Sequence, residues 1–296
     1  MQKNKFYKSE FSRQSSFQKM FDSDYFYINT VEDDHWNKKF HTALLTFLKN
    51  QKIIDPKYSD LKALHTFLDD KYLDFKSSKK NNNFRPAVCD NLFDFANQEI
   101  ELYHEMLKWI YRCVIKEDFY FQIVPTIRVH FPKIEKRTLP AWHSDCFFGH
   151  PPSEINFWFG ITDNKKSDFW VNSVSKSRKW FSDFSYDTEQ WSQTCFSADK
   201  DFNKYGFQGS IEIQEIFDNI FIFDSRCIHT AVPRSRDDET TKLSIDMRII
   251  LVKDFEWKII NDKPLFVGTG IKQAEFRPGH PYGYNKKSIK QIMEDS

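Results

Sequence analysis

WHSDCFFGHPPSEINFWFGIT, from Trp142 to Thr162, is the stretch whose reading decides the rest of this chain. It opens on His143-Ser144-Asp145, turns through Gly149-His150-Pro151-Pro152, and enters a strand-like run from Glu154 to Thr162. In that run Ile155, Phe157, Phe159 and Ile161 oppose Glu154, Asn156, Trp158, Gly160 and Thr162. This is the two-residue period of a strand with one apolar face. His143 and Asp145 offer an imidazole and a carboxylate to one metal ion from a single short turn. The motif alone is weak. With nine histidines in the chain, about one His-x-acid match arises by chance.

Working outward, the same alternation recurs downstream. Lys242 to Leu251 is the cleanest strand: Leu243, Ile245, Met247, Ile249 and Leu251 oppose Lys242, Ser244, Asp246 and Arg248. In Thr126 to Phe131, Ile127, Val129 and Phe131 face one way, Arg128 and His130 the other. Ser210–Ile216 and Asn219–Phe223 read as a strand pair around Asp218-Asn219, the second leading to a terminal His229. A polar row beside an apolar row admits two readings. One is an antiparallel sheet with a solvated outer face; the other is a barrel whose interior is polar because it holds a charged small molecule. Alternation does not choose between them. His229 completes a set of two nitrogens and one oxygen, which non-haem Fe(II) oxygenases use while leaving coordination positions open.

Upstream the period is helical. Residues 1–34 are polar with scattered aromatics and read as an N-terminal arm. Trp36, Phe40, Leu44, Phe47 and Leu48 form one helical stripe, and Leu61, Leu64, Phe67 and Leu68 a shorter one. Lys76 to Pro86 is a charged loop. Phe93, Ala96, Ile100, Tyr103, Leu107, Ile110 and Val114 give the strongest amphipathic helix, within which His104 and Glu105 read as packed or solvated side chains rather than ligands. Lys165 to Asp201 is long enough for a lid or insertion. No internal repeat is visible. A helical part (35–118), a strand-rich core (119–252) and a C-terminal extension (253–296) argue α+β in one integrated domain.

Composition narrows the partners. Lys+Arg 43 against Asp+Glu 42 leaves a formal charge of +1, so no net field points to nucleic acid or an anionic membrane. The 31 Phe, 12 Tyr and 8 Trp supply ample core for 296 residues. Five cysteines without a Cys-x-x-Cys pair indicate reduced thiols, and Cys146 and Cys227 read as packing residues. No apolar run has the length of a signal peptide or a membrane span. The expectation is a cytoplasmic protein with a small-molecule substrate and no nucleic-acid or membrane partner.

The order His-x-Asp, strand, distal His, basic-x-Ser strand resembles the Fe(II)/2-oxoglutarate-dependent oxygenases. Within them, GHPPSEINFWFGIT and SIDMRIIL are similar to the StrG-type branch, related to the phytanoyl-CoA hydroxylases. The resemblance runs from about Phe121 to Leu251 and is most specific over His143 to Thr162. It implies a double-stranded β-helix, a jelly-roll or cupin-like barrel, buttressed by the N-terminal helices. It also implies Fe(II) on His143, Asp145 and His229, with O2 as co-reactant and succinate and CO2 as products. Lys242 and Ser244 would hold the far carboxylate of 2-oxoglutarate, with Arg248 sharing that role, and Asn156 and Arg128 would meet the cosubstrate or substrate. His130, His150 and Trp158 are weaker candidates. An aspartate at 145 favours hydroxylation or desaturation over halogenation.

Two departures stand out. Lys242 replaces the family's arginine, a point charge in place of a two-pronged fork, and Phe159-Gly160 replaces the more usual Leu-Pro. The polar inner row suggests a small polar substrate such as a sugar, aminocyclitol or amino acid derivative. Two competing readings are a cupin-like metal enzyme that does not use 2-oxoglutarate, and a non-catalytic ligand-binding barrel.

Overall fold

The computed structural model describes residues 2–30, 35–74, 86–132, 142–148, 150–162, 169–187, 190, 200–213, 219–231, 239–255, 259–260, 263–264, 284–285 and 287–295. Much of the 165–201 segment, most of the 76–86 loop, Gly149 and most of the 253–296 extension lie outside them. In chain order the elements used below are α1 (Gln2–Ser12), α2 (Ser16–Phe21), β1 (Tyr25–Asn29), α3 (Trp36–Asn50), α4 (Leu64–Phe67), α5 (Asp70–Leu73), α6 (Val88–Gln98) and α7 (Ile100–Trp109). They continue with β2 (Phe119–Phe121), β3 (Thr126–His130), β4 (Ile155–Gly160), β5 (Phe169–Val171), α8 (Val174–Asp183), β6 (Ile211–Glu212), β7 (Asn219–Asp224), β8 (His229–Ala231) and β9 (Lys242–Leu251).

Two antiparallel sheets face each other. The larger runs β1-β7-β4-β9-β2, and β9 is long enough to pair β3 along Lys242–Asp246 and β2 along Ile249–Leu251. The smaller runs β6-β5-β8 and is extended by a bridge between His143 and His229. Neighbouring strands in each sheet are mostly distant in sequence. This is the double-stranded β-helix, closed on one side by helices.

The alternation in β9 now has its physical reason. Leu243, Ile245, Met247, Ile249 and Leu251 are fully buried in one hydrophobic core with Ile155, Phe157 and Phe159 of β4 and the apolar stripes of α3, α6 and α7. Phe40 of α3 meets Phe159 with ring centroids 5.7 Å apart. The opposite row turns inward, and Lys242, Ser244 and Arg248 are all buried. The polar row is therefore the barrel's interior and not a solvated face. A second core fills the other side, where Trp142, Phe169, Trp170 and Val171 pack with Tyr7 and Phe11 of α1 and Trp180 and Phe181 of α8.

Several expectations are corrected. The supposed polar arm contains α1 and α2 and then β1, which pairs β7 in register from Tyr25↔Phe223 to Asn29↔Asn219. Its aromatics are its anchors: Phe11 and Phe17 are almost completely buried. The long helix from Phe93 to Val114 is broken at Glu99, whose ψ of 32° ends α6, and its last turn widens into a π-helix at Ile110–Ile115. The strand pair read around Asp218-Asn219 does not form, because β6 lies in the smaller sheet and β7 in the larger. His229 opens β8 rather than ending the strand before it. No helix among the described residues is long and apolar enough to cross a membrane.

Candidate metal centre

His143 and His229 are held by their own backbones. Each donates its N–H to the other's carbonyl, at 3.0 and 2.8 Å, a reciprocal bridge that sets the two imidazoles side by side with ring centroids 4.4 Å apart. The carboxylate follows two residues after His143, in a 3-10 turn that begins at Asp145. Asp145 Oδ1 lies 3.9 Å from Nε2 of both histidines. The three side chains are buried, and their ligand atoms lie within 4.8 Å of one another.

The rest of the site fixes which atoms face that point. Asp145 Oδ2 accepts from Asn156 Nδ2, Arg248 Nε and Arg248 Nη2, each at 2.9 Å. That oxygen is fully engaged, leaving Oδ1 for the imidazoles. Burial raises the Asp145 carboxyl, but Arg248 and then the histidines around it pull it well below the usual carboxylate range. His229 is held neutral because burial lowers its pKa more than Asp145 raises it. Its Nδ1 lies 3.1 Å from the carbonyl of Cys227. A carbonyl only accepts, so Nδ1 carries the proton and Nε2 presents a lone pair. One ionised carboxylate and a neutral imidazole are the forms in which these groups bind a metal.

The larger sheet builds the remaining wall. The β4–β9 register sets Asn156 beside Arg248, Trp158 beside Asp246 and Gly160 beside Ser244; the β3–β9 register sets Arg128 beside Ser244 and His130 beside Lys242. All of these but Gly160 line one cavity with the three candidate ligands. From the smaller sheet Phe169 stacks on Trp158, with centroids 5.1 Å apart and planes at 6°. The cavity thus has an aromatic side and a charged side.

Four of the candidates read from the sequence take partners within the chain. Arg248, expected at the cosubstrate carboxylate, is spent on Asp145 and also donates to Gln122 Oε1 at 3.3 Å. Asn156 likewise turns its amide nitrogen to Asp145, and its Oδ1 is buried without a hydrogen-bond partner. Arg128 donates to Asp246 across the sheet, and Lys242 and Ser244 line the same cavity. His150 pairs through Nδ1 with Glu154 at 3.1 Å, and Glu154 also accepts from Tyr284. His104 packs edge-on against Phe121. Cys146 and Cys227 are buried, with burial pushing both thiols up, as befits packing residues. Sequence reasoning missed Gln122, Tyr7 and Arg226, each of which acts through a backbone or side chain remote in the chain and leaves no periodic trace.

No protein-family model matches the chain. Over 43 residues, 14% of its length, it is 44% identical to the streptomycin biosynthesis protein StrG of Streptomyces griseus. Over that stretch the chain is StrG-like. The match spans only 21% of StrG itself. Among solved structures the chain is similar to EctD from S. alaskensis with bound Fe, at TM-score 0.46 and 11% identity, covering 91% of this chain and 83% of that one. AviO1 from Streptomyces viridochromogenes Tue57 aligns at TM-score 0.42 and 14% identity over 80% of this chain and 95% of its own. SnoK, a non-heme alpha ketoglutarate dependent carbocyclase from nogalamycin biosynthesis, aligns at 0.39 and 12% over 92% and 94%.

Proposed function

We propose that this protein is an Fe(II)- and 2-oxoglutarate-dependent oxygenase that hydroxylates a small polar metabolite. The observation that carries the reading is the convergence of Oδ1 of Asp145 with Nε2 of His143 and His229 at one buried point, at the edge of a cavity with a cationic wall. The residues fit the ion: its donor set is two nitrogens and one oxygen, with the second carboxylate oxygen already committed to three donors. StrG, to which a 43-residue stretch of the chain is similar, is a streptomycin biosynthesis protein, which supports a polar metabolite as substrate.

Iron with 2-oxoglutarate and O2 supplies the oxidation of a C–H bond, releasing succinate and CO2. The chain's own residues supply position and charge. Arg248 and Asn156 hold Asp145 ionised and turned, and the Cys227 carbonyl fixes the His229 tautomer. Lys242, with Ser244 two residues on along the same inner row, offers a cation and a hydroxyl to a dicarboxylate. Arg128 and Asp246 place opposite charges on the wall where the substrate would lie, beside the Trp158–Phe169 stack. The unpartnered Oδ1 of Asn156 can only accept a hydrogen bond, so it suits a hydroxyl or amine and not a carboxylate.

The test is anaerobic addition of Fe(II) and 2-oxoglutarate to the protein, read as the visible metal-to-ligand charge-transfer band. The band is expected in the parent and lost in His229→Ala. Bound iron without a band at saturating 2-oxoglutarate would favour a metal enzyme that does not use this cosubstrate. A chain that binds no iron would be a ligand-binding barrel.

A further inference from the structure

The two turns that present the candidate ligands are not held by the barrel alone. On the first turn, the buried Tyr7 of α1 donates its hydroxyl to the carbonyl of Cys146, the residue after Asp145, at 2.8 Å. On the second turn, between β7 and β8, Arg226 lies three residues before His229 and is 1% exposed. Its Nη1 donates to the carbonyls of Glu10 and Arg13 at 2.8 Å, and its Nη2 to Gln18 Oε1 at 2.7 Å. Asp224 neutralises it through Nε at 2.8 Å and Nη2 at 2.7 Å, and Ser15 Oγ caps that carboxylate at 2.5 Å. The two turns are tied to each other by Ser144, whose hydroxyl donates to the Ser225 carbonyl at 2.8 Å.

Tyr7, Glu10 and Arg13 recur every three residues, so they lie along one side of α1 and the turn that follows it. That side therefore spans both ligand turns, with its first contact beside Asp145 and its later ones beside His229. Phe11 seats the same helix on α8 by an edge-on contact with Phe181 at 4.9 Å. The buried guanidinium has one carboxylate partner and donates its remaining hydrogen bonds to the Glu10 and Arg13 carbonyls and to the Gln18 side-chain oxygen, all of them in the N-terminal segment.

We infer that α1 and the segment after it are part of the metal centre, with Tyr7 and Arg226 as positioning residues that set the spacing between Asp145 and His229. The inference rests on the metal-binding reading above. Neither residue lines the cavity or is one of the three candidate ligands. Their effect is on how tightly and with what geometry the three ligands close.

The test uses the full-length chain and Co(II) alone, titrated anaerobically and followed by its visible d–d absorption. The parent is expected to bind with a defined spectrum. Tyr7→Phe keeps the packed ring and removes only the hydroxyl; it should weaken Co(II) roughly tenfold, the usual scale for outer-shell partners, and shift the absorption bands. Arg226→Lys should do the same more strongly, and if it fails to fold, Tyr7→Phe still decides. A Tyr7→Phe protein that melts earlier without metal yet binds Co(II) within about twofold of the parent, with an unchanged spectrum, would make α1 merely structural and overturn the inference. A parent that does not bind Co(II) refutes the metal reading itself.

Discussion

Replacing Arg248 with methionine tests the site's electrostatics directly. Arg248 and Asp145 are both buried, with two nitrogens of the one on a single oxygen of the other at 2.9 Å. Removing one partner of such a pair strands the other charge, which costs about 3–5 kcal/mol. For a chain of this size each kcal/mol moves Tm by about 2 °C, so the metal-free variant should melt roughly 6–10 °C below the parent. The sign with pH is also fixed. In the parent, the folded Asp145 carboxyl sits below its unfolded value, so its contribution is full above the unfolded pKa of about 4 and fades as pH falls through the folded one. In Arg248→Met, burial pushes that carboxyl up, and acidification from pH 7 toward 4 protonates it and narrows the gap between the two proteins. A saturating divalent cation should also narrow the gap, because the ion then neutralises Asp145. Differential scanning calorimetry with and without metal, at pH 7 and 4.5, reads all three effects. A metal-free variant within about 2 °C of the parent at pH 7 would refute the argument, since less than about 1 kcal/mol would then be at stake.

Other residues give sharper local tests. Lys242→Ala should raise the half-saturating 2-oxoglutarate concentration roughly 10–100-fold, the worth of one hydrogen bond to a charged group, while Lys242→Arg stays within a few-fold; equal values for Ala and parent would place the cosubstrate elsewhere. His130 is lowered to about 4, by burial and then by Arg128, so across pH 6.5 to 4 the unfolded chain takes up a proton that the folded chain refuses, and stability falls with pH. Urea unfolding of His130→Gln at pH 7 and 5 should show a shallower decline, by less than the about 1.4 kcal/mol per pH unit that one proton sets as the ceiling, because the ring keeps some exposure. Gly206 stands where an added Cβ would come within 2.2 Å of the Trp142 indole, next to His143. Gly206→Ala should cost about 1–3 kcal/mol by overpacking and alter tryptophan fluorescence; an unchanged melting curve and spectrum would show that the Lys200–Phe207 helix, which carries Gly206, can shift.

The strands and two of the three candidate ligands were legible because both write themselves locally. A two-residue period survives in β3, β4 and β9 whatever they pack against, and His143 and Asp145 share one turn. Which face of β9 lay inside was not legible, since a solvated row and a polar interior give the same letters; the helices stacked on Leu243 to Leu251 decide it. Arg248 and Asn156 were placed correctly on the inner row, but their partner was hidden. A carboxylate reached across the fold competes with any ligand for their donors, and only the register shows that it wins. The N-terminal segment was misread because its aromatic residues are spread among lysines and serines, so that no long stripe marks them. Its buried aromatics, the β1–β7 pairing and main-chain carbonyls that accept from Arg226 together hold it to the fold, and the last of these leaves no trace in sequence.

The pairing of β1 with β7 also has a consequence for the order of assembly. Tyr25 meets Phe223, and Tyr7 and Glu10 wait for residues 146 and 226. β1 therefore pairs with a strand made about two hundred residues after it. A ribosome that has produced the helices and β2 to β5 has made no partner for β1, and β4 still lacks both of its neighbours. Such long-range closure is slow, because the loop entropy is spent before the contacts that repay it can form. Until β7 emerges, the aromatic residues of α1 can meet Trp142, β5 and α8, but β1 has no strand to pair with.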